Sequence, residues 1–382
     1  MRQTDQLSTR LDWQKSSRRV RFDVRYITSQ FTYKVSPMKQ QFQVLFFAVV
    51  MTGCGTPASD TQQQNDSSQT VPAEILALNW YAEAEHGGYV AARELGYFDE
   101  AGVDVTIQPG GPGAPTLVIQ ELAAGRIRFA ISNADLVVLA RARGAKLVAV
   151  AAPLQQSPRC IMVHESSGID TLQQLIDVEL AISDTRPFAL WMKKQLPLTN
   201  VTMVPYAGLV GEFLQKKNFA QQGYVFSEPF VAKEKGGDPK VLMLSEIGFN
   251  PYASLLVTTE DTIRDHPELV RKMVAASVRG WRAYLDDPVP VNKRIHADNN
   301  DMTMGALAFG AEAMLPLCAT KEGVSLCGME LSRWQLLVEQ IEQLGEIEVG
   351  LVKAADCFSS NFLSVQLSAE NGETSGHSPN DL

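Results

Sequence analysis

From Ile75 onward the sequence alternates short apolar runs with amphipathic stretches, and this alternation limits the fold more than any other feature of the chain. EILALNW reads as a strand and His86 to Gly96 as a helix with Val90 and Leu95 inside. VDVTI reads as a second strand, and TLVIQELAAGRI as a helix whose Gly125 suits a left-handed cap. RFAIS, DLVVLARARGA and KLVAVAAPL continue the pattern as strand, helix and strand. A strand-helix repeat with short connections predicts a largely parallel sheet covered on both faces, with ligands at the carboxyl ends of the strands.

A second unit of the same kind runs from about Cys160 to Asn250. Its strands are CIMVH, ELAIS, VTMVPY, QGYVF and KVLML, and its helices TLQQLI, FALWMKKQL and LVGEFLQKK. ASLLVTTEDTI then reads as a strand returning to the first unit. DHPELVRKMVAASVRGWRAYLDD follows as a long helix, with Leu269, Val270, Met273, Val274, Val278, Trp281 and Leu285 at core spacing and Pro267 in the first turn. Further helices are expected over Asp301 to Leu315 and Met329 to Leu344. The expected organisation is two α/β lobes, the first discontinuous over residues 72–159 and 251–365 and the second over 160–250. Two chain crossings place a cleft between them, which is a preferred position for a small-molecule pocket and permits hinge closure. The chain is expected as a monomer, with a polar, disordered tail over residues 366–382.

The beginning of the chain reads differently. MKQQFQVLFFAVVMTGC starts at Met38 with one basic residue, runs through the apolar stretch Val44 to Met51, and ends in Thr52 and Gly53 before Cys54, as export signals do. That stretch falls far short of the roughly 20 residues a membrane-spanning helix needs. The small pair before Cys54 resembles the lipobox of bacterial lipoproteins, which makes Cys54 the expected lipidated first residue of a protein anchored on the periplasmic side; an incidental cysteine after an ordinary signal is the alternative. Met38 is the expected start, since residues 1–37 carry no sustained apolar periodicity and SSRRVRF only weakly resembles a twin-arginine signal. Residues 55–71 are polar and read as a flexible spacer. After Cys54 the chain holds 25 basic and 40 acidic residues, and such an acidic body without a Lys/Arg cluster excludes nucleic acid as a partner. None of Cys160, Cys318, Cys327 and Cys357 forms a C-x-x-C pair, so no metal site is expected. Cys318 and Cys327 either close a disulfide or remain free thiols.

The segments LNWYAEAEHGGYVAARELGYFDEAGVDVTIQPGGPG, LAAGRIRFAISNADLVVLARARGAKLVAVAA and SLLVTTEDTIRDHPELVRKMVAASVRGW carry a resemblance to a known family, over about Ile75 to Pro288. This family unites bacterial periplasmic binding proteins for thiamine-pyrimidine precursors, sulfonates and related compounds with the thiamine pyrimidine synthases of fungi. The resemblance implies a type II periplasmic-binding-protein fold, a ligand between two lobes, and delivery to the membrane permease of an ABC importer. It also offers an alternative, an enzyme making the thiamine pyrimidine with pyridoxal phosphate. In the synthases a lysine that holds the cofactor, with a histidine donor nearby, follows the third strand, where this chain has Ser132 and Leu136. A serine hydroxyl cannot form a Schiff base. The cysteine-rich iron-handling motif of the synthases is likewise replaced by GFNPYASLLV. The expected protein is therefore a binder without a catalytic residue or cofactor.

Candidate ligand contacts follow from the strand ends. Asn79, Trp80 and Tyr81 end the first strand, where aromatic faces could sandwich a flat heterocycle or simply pack in the core. His86, at the start of the first helix, either donates to a ligand or caps. Ser132, Asn133 and Asp135 follow the third strand at a helix start, where they hold a polar ligand edge or cap the helix. PGGPGAPT lacks the Lys-Ser/Thr ending of a phosphate loop, so Gly111 reads as part of a tight turn letting the backbone approach a ligand. Glu228 either pairs with the ring nitrogen and amine of an aminopyrimidine or is a surface residue before Pro229. Tyr252, Tyr206 and Tyr224 are further candidates from strand ends.

Overall fold

The computed structural model describes residues 73–363. The leader, the signal-like segment with Cys54, the spacer to residue 71 and the tail from 366 lie outside them. The strands are β1 (Glu74–Ala77), β2 (Val105–Gln108), β3 (Phe129–Ser132), β4 (Leu147–Ala151), β5 (Arg159–His164), β6 (Glu179–Ala181), β7 (Thr202–Val204), β8 (Phe219–Tyr224), β9 (Pro239–Met243) and β10 (Leu255–Thr259). The helices are α1 (Gly87–Glu94), α2 (Tyr97–Glu100), α3 (Ala114–Ala123), α4 (Ala134–Ala142), α5 (Pro187–Gln195), α6 (Gly211–Gln215), α7 (Glu228–Glu234), α8 (Glu260–Asp265), α9 (Pro267–Asp286), α10 (Val289–Asp298), α11 (Met304–Cys318) and α12 (Leu331–Gln343). The TLQQLI segment, read as a helix from sequence, forms only a 3-10 turn at Leu172–Gln174.

The strands form two five-stranded sheets, ordered β2-β1-β3-β10-β4 and β7-β6-β8-β5-β9. Both are mixed rather than largely parallel. β1 pairs in parallel with β2 and β3, but β10 runs antiparallel to β3 and β4. In the second sheet β6 is parallel to β7 and β8, while β5 is antiparallel to β8 and β9. The reason lies in the crossings. β10 comes back from the second sheet, so it enters the first at the end where β3 finishes, with Leu255 opposite Ser132. β5 enters the second sheet in the same way, with Arg159 opposite Tyr224 at the end of β8. The carboxyl ends of the parallel strands of both sheets therefore face the crossings.

Each sheet is covered on both faces, which is why its strands read as continuous apolar runs. In β3, Phe129 and Ile131 join a cluster with Tyr89, Val274 and Trp281, whereas Ala130 joins one with Val137, Val257 and Trp334. The latter cluster continues through Tyr252 and Phe249 to Ile161 and Leu180 of the second sheet. Arg333 of α12 ties the two crossings together, donating to the carbonyls of Gln155 at 2.5 Å and Asn250 at 2.9 Å. The four described cysteines, Cys160, Cys318, Cys327 and Cys357, are free and buried, so Cys318 and Cys327 are not bonded to each other. No described helix is long and apolar enough to cross a membrane.

The close crossing of α1 on α9 depends on glycine. A Cβ built on Gly280 would lie 2.1 Å from the carbonyl oxygen of Gly88, and one on Gly88 would lie 2.2 Å from the ring of Trp281. Overpacking of such a contact costs about 1–3 kcal/mol because the helices must separate. Gly280→Val is expected to destabilise the protein by about 3 kcal/mol, read as a lower midpoint in urea denaturation; an unchanged midpoint would refute the close crossing.

Candidate functional site

A cavity of about 480 Å³ opens where the strand ends of the two sheets meet. The first sheet supplies the turn after β1 and the start of α4; the second supplies the first residue of β5, the turns after β6 and β7, and the end of β8. Bonds also cross between them. Asn133 Nδ2 donates to the Tyr224 hydroxyl at 3.1 Å, and Ser227 Oγ donates to Glu83 Oε2 at 3.2 Å.

Eight of the residues singled out from sequence lie on the cavity wall: Asn79, Trp80, Tyr81, Asn133, Asp135, Tyr206, Tyr224 and Glu228. Trp80 and Tyr81 stand edge to face, with centroids 5.6 Å apart and planes at 74°, so these two rings do not form a parallel pair around a flat guest. Tyr206 and Tyr224 present aromatic surface from the side of the second sheet, where Phe188 lies beneath Arg159. Asn133 also accepts from the Ser254 amide at 3.2 Å, which fixes it against β10's approach. Glu228 is held from two sides: the Tyr206 hydroxyl donates to one carboxylate oxygen and the Tyr224 amide to the other at 2.7 Å.

Four candidates are placed elsewhere. His86 is fully buried behind the wall, with both ring nitrogens engaged. Its Nδ1 accepts from the Glu83 amide at 3.3 Å, which leaves Nε2 to donate to Asn79 Oδ1 at 3.0 Å. It orients Asn79 and does not face the cavity. Burial pushes its pKa from 6.5 down to about 3, so the ring is neutral. Gly111 is off the wall; Pro112 and Pro115 line it instead, and the residue whose lack of a side chain matters is Gly110, where a Cβ would meet the Leu78 carbonyl at 2.4 Å. Ser132 is fully buried in β3, paired with Leu255. Tyr252 lies under the Arg333 guanidinium, 3.7 Å from its ring centroid, and accepts from the Glu330 amide. It belongs to the crossing and not to the cavity, because a residue so close to β10's start is covered by α12. Leu136, at the histidine position of the synthases, does line the cavity.

Sequence reasoning passed over Glu83, Glu85, Arg159, Arg186 and Phe188, all on the wall. The signal for the glutamates is the run YAEAEHGG, which puts two carboxylates between a strand and a helix start in otherwise apolar surroundings. Glu83 and Glu85 are 5% and 1% exposed. Burial, with the charges of Glu85 and Glu228 nearby, raises the Glu83 pKa well above its ordinary value. Burial likewise raises Glu85 to about 8, against a lowering influence of Arg159. Asp135 is also raised by burial, opposed by Arg159 and Arg186. Arg159 stands over the Phe188 ring at 4.1 Å and the Tyr224 ring at 4.8 Å, and donates to the Tyr224 hydroxyl at 2.8 Å. Among the described residues no cluster of His, Cys, Asp and Glu could hold a metal ion.

Two mixed α/β sheets joined by two crossings, with a cavity at their facing strand ends, constitute the periplasmic-binding-protein fold. The structure matches the periplasmic aliphatic sulphonate binding protein SsuA of Escherichia coli with a TM-score of 0.58 and 16% identity, over 74% of this chain and 91% of that one. Residues 83–290, more than half of the chain, match the NMT1/THI5-like family model, and the chain belongs to that family. It is 22% identical over 335 residues to the formylaminopyrimidine-binding protein of Halalkalibacterium halodurans, covering 84% of this chain and 99% of that one. It is also 22% identical over 269 residues to the riboflavin-binding protein RibY of Chloroflexus aurantiacus, covering 64% of this chain and 73% of that one.

The buried acids and His86 set a pH dependence. A carboxyl whose pKa is raised on folding favours the folded state at low pH, and that contribution is lost as pH rises from 4.5 toward about 8 for Glu85. His86, depressed from 6.5 to about 3, acts with the opposite sign and only below about 6.5. The ligand-free protein is therefore expected to lose thermal stability between about pH 6.5 and 8, and Glu85→Gln to flatten that decline. Melting curves across this window at constant ionic strength check it; a wild-type melting temperature that rises there would contradict the assignment.

Proposed function

We propose that this chain is the solute-binding component of an ABC importer, capturing a small planar, amine-bearing heterocycle of the aminopyrimidine type and releasing it unchanged to a membrane permease. The observation that carries the reading is the cavity at the facing strand ends, with aromatic and acidic side chains contributed by both sheets. A guest there contacts both sheets at once, so its binding energy favours the closed arrangement of a hinged pair. The kinship with binding proteins for formylaminopyrimidine and riboflavin supports a nitrogen heterocycle as the ligand. The electrostatics support the same choice over a sulfonate. Glu83, Glu85, Asp135 and Glu228 line the cavity against Arg159 and Arg186, and an anion would face this carboxyl-rich wall. A binder also accords with Ser132 at the position where a pyridoxal phosphate enzyme needs an amine. The signal-like segment before Cys54 supports export and lipid anchoring, with the body held on the periplasmic side by acyl chains at that cysteine.

Calorimetric titration with a 5-aminomethyl-4-aminopyrimidine, riboflavin and an alkanesulfonate tests the reading. The pyrimidine is expected to bind with a Kd near or below the micromolar range, about −8 kcal/mol, and the sulfonate not at all. Trp80→Ala is expected to weaken the pyrimidine about tenfold through loss of an aromatic contact. Tight sulfonate binding with no response to either heterocycle would sink the proposal.

A further inference from the structure

We infer that the ligand taken by this cavity is a cation and that Glu85 is the side chain that selects it. The inference rests on the reading of the cavity as a reversible binding site and goes further in naming the charge of its guest. Glu85 lies in the turn between β1 and α1, on the cavity wall and 99% buried. Its Oε1 faces His86 Nε2 at 3.6 Å, but Oε2 is buried with no hydrogen-bond partner. The acids around it are differently placed. Glu228 accepts from Tyr206 and Tyr224, Glu83 accepts from Ser227, and Asp135 sits in the field of Arg159 and Arg186. A buried carboxyl oxygen without a partner is costly when ionised, and positive charge on a guest in the adjoining cavity offsets that cost.

The charge balance points to a full positive charge. Two guanidiniums, Arg159 and Arg186, face four acids on the wall, both acting on Asp135 and Arg159 also on Glu85, so acids are in excess. Burial favours the protonated form of Glu83 and of Glu85. The charged and titratable groups facing Glu85 are His86, Arg159, Tyr89, Tyr224, Glu83 and Glu228. His86 is held neutral by burial and supplies no counter-charge. When a cation enters, Glu85 gives its proton to solvent and the guest's charge takes that proton's place, so the net charge of the cavity is the same before and after. A neutral guest leaves the proton where it is; an anion adds a charge that nothing offsets. Affinity for a guest that stays cationic is then expected to rise about tenfold per pH unit up to about pH 8 and to level off above it, as single-proton linkage requires.

The test uses the full chain and three rings of matched shape: benzamidinium, benzamide and benzenesulfonate, each at millimolar concentration. Titration calorimetry between about pH 6 and pH 9 is expected to show binding of benzamidinium alone, strengthening with pH as stated. Repeating it near pH 7 in buffers of different ionisation enthalpy is expected to show about one proton released per benzamidinium bound. Glu85→Gln is expected to abolish both the preference and the pH slope, and because proton release is read on the wild type, the inference remains open to refutation if that variant fails to fold. Equal binding of benzamide, binding of benzenesulfonate, or no proton release overturns it, as does a benzamidinium preference that survives Glu85→Gln. A parallel pair of aminopyrimidines, one with a 5-aminomethyl and one with a 5-hydroxymethyl group, separates the two proposals. If neither pyrimidine binds while benzamidinium does, the pyrimidine reading fails and the cation inference stands; if both bind equally, with no proton release, the cation inference fails and the pyrimidine reading stands.

Discussion

A strand that must enter a sheet from the wrong end governs this molecule. β10 returns from the second sheet and inserts between β3 and β4, so its first residue lies beside the last residue of β3 and its direction is reversed. Once that pairing is made, both crossings lie at one end of both sheets, and the carboxyl ends of β1, β3, β6 and β8 look toward each other. Arg333 holds this junction by donating to one carbonyl on each crossing, with Tyr252 beneath its guanidinium. An apolar cluster runs from one sheet to the other through Phe249 and Tyr252, so the crossings are packed and do not behave as loose linkers. The cavity is a consequence of this junction, because loops that leave facing strand ends cannot fill the space between two twisted sheets.

The wall of that cavity concentrates acids where water is scarce. Isolated buried carboxylates cost several kcal/mol each, and the usual resolution is a shift in pKa that keeps the group neutral. Glu83 and Glu85 take that route, while Glu228 is held by donors from Tyr206 and Tyr224. The turn carrying these glutamates is rigid for reasons of its own. His86 links the Glu83 amide to the Asn79 side chain, and the two glycines that follow let α1 lie directly on α9. The residues of AEAEHGG thus divide their roles, acids toward the cavity, histidine into the turn, and glycines against the neighbouring helix.

Much of the cavity wall that forms the candidate site was legible because strand ends are local features. An apolar run that stops at Asn79, Trp80 and Tyr81, or at Asn133 and Asp135, marks the end of a strand, and an α/β arrangement puts such ends at the ligand. Other residues were misread for equally physical reasons. His86 and Ser132 stand next to wall residues in sequence, but neighbours in a strand or a tight turn point in different directions, and theirs is inward. Tyr252 was placed by its nearness to a strand end, yet α12, far along the chain, covers it. Arg159 was invisible as a site residue because it opens a strand, and only the reversed pairing of β5 with β8 brings an opening residue to the cavity.

The sequence by itself determined the alternation of strands and helices and the core face of α9, with Val270, Met273, Val274, Val278 and Trp281 buried as their spacing requires, since both depend on periodicity within a short window; Leu95, read as inside its helix, is exposed. Only the tertiary structure decided the mixed direction of both sheets, the meeting of Glu83 and Glu85 with Arg159 and Phe188, and the bare oxygen of Glu85. Those features depend on the path of a chain that leaves one sheet and comes back, and on the loss of water when distant segments close over a carboxyl, neither of which any local stretch of residues encodes.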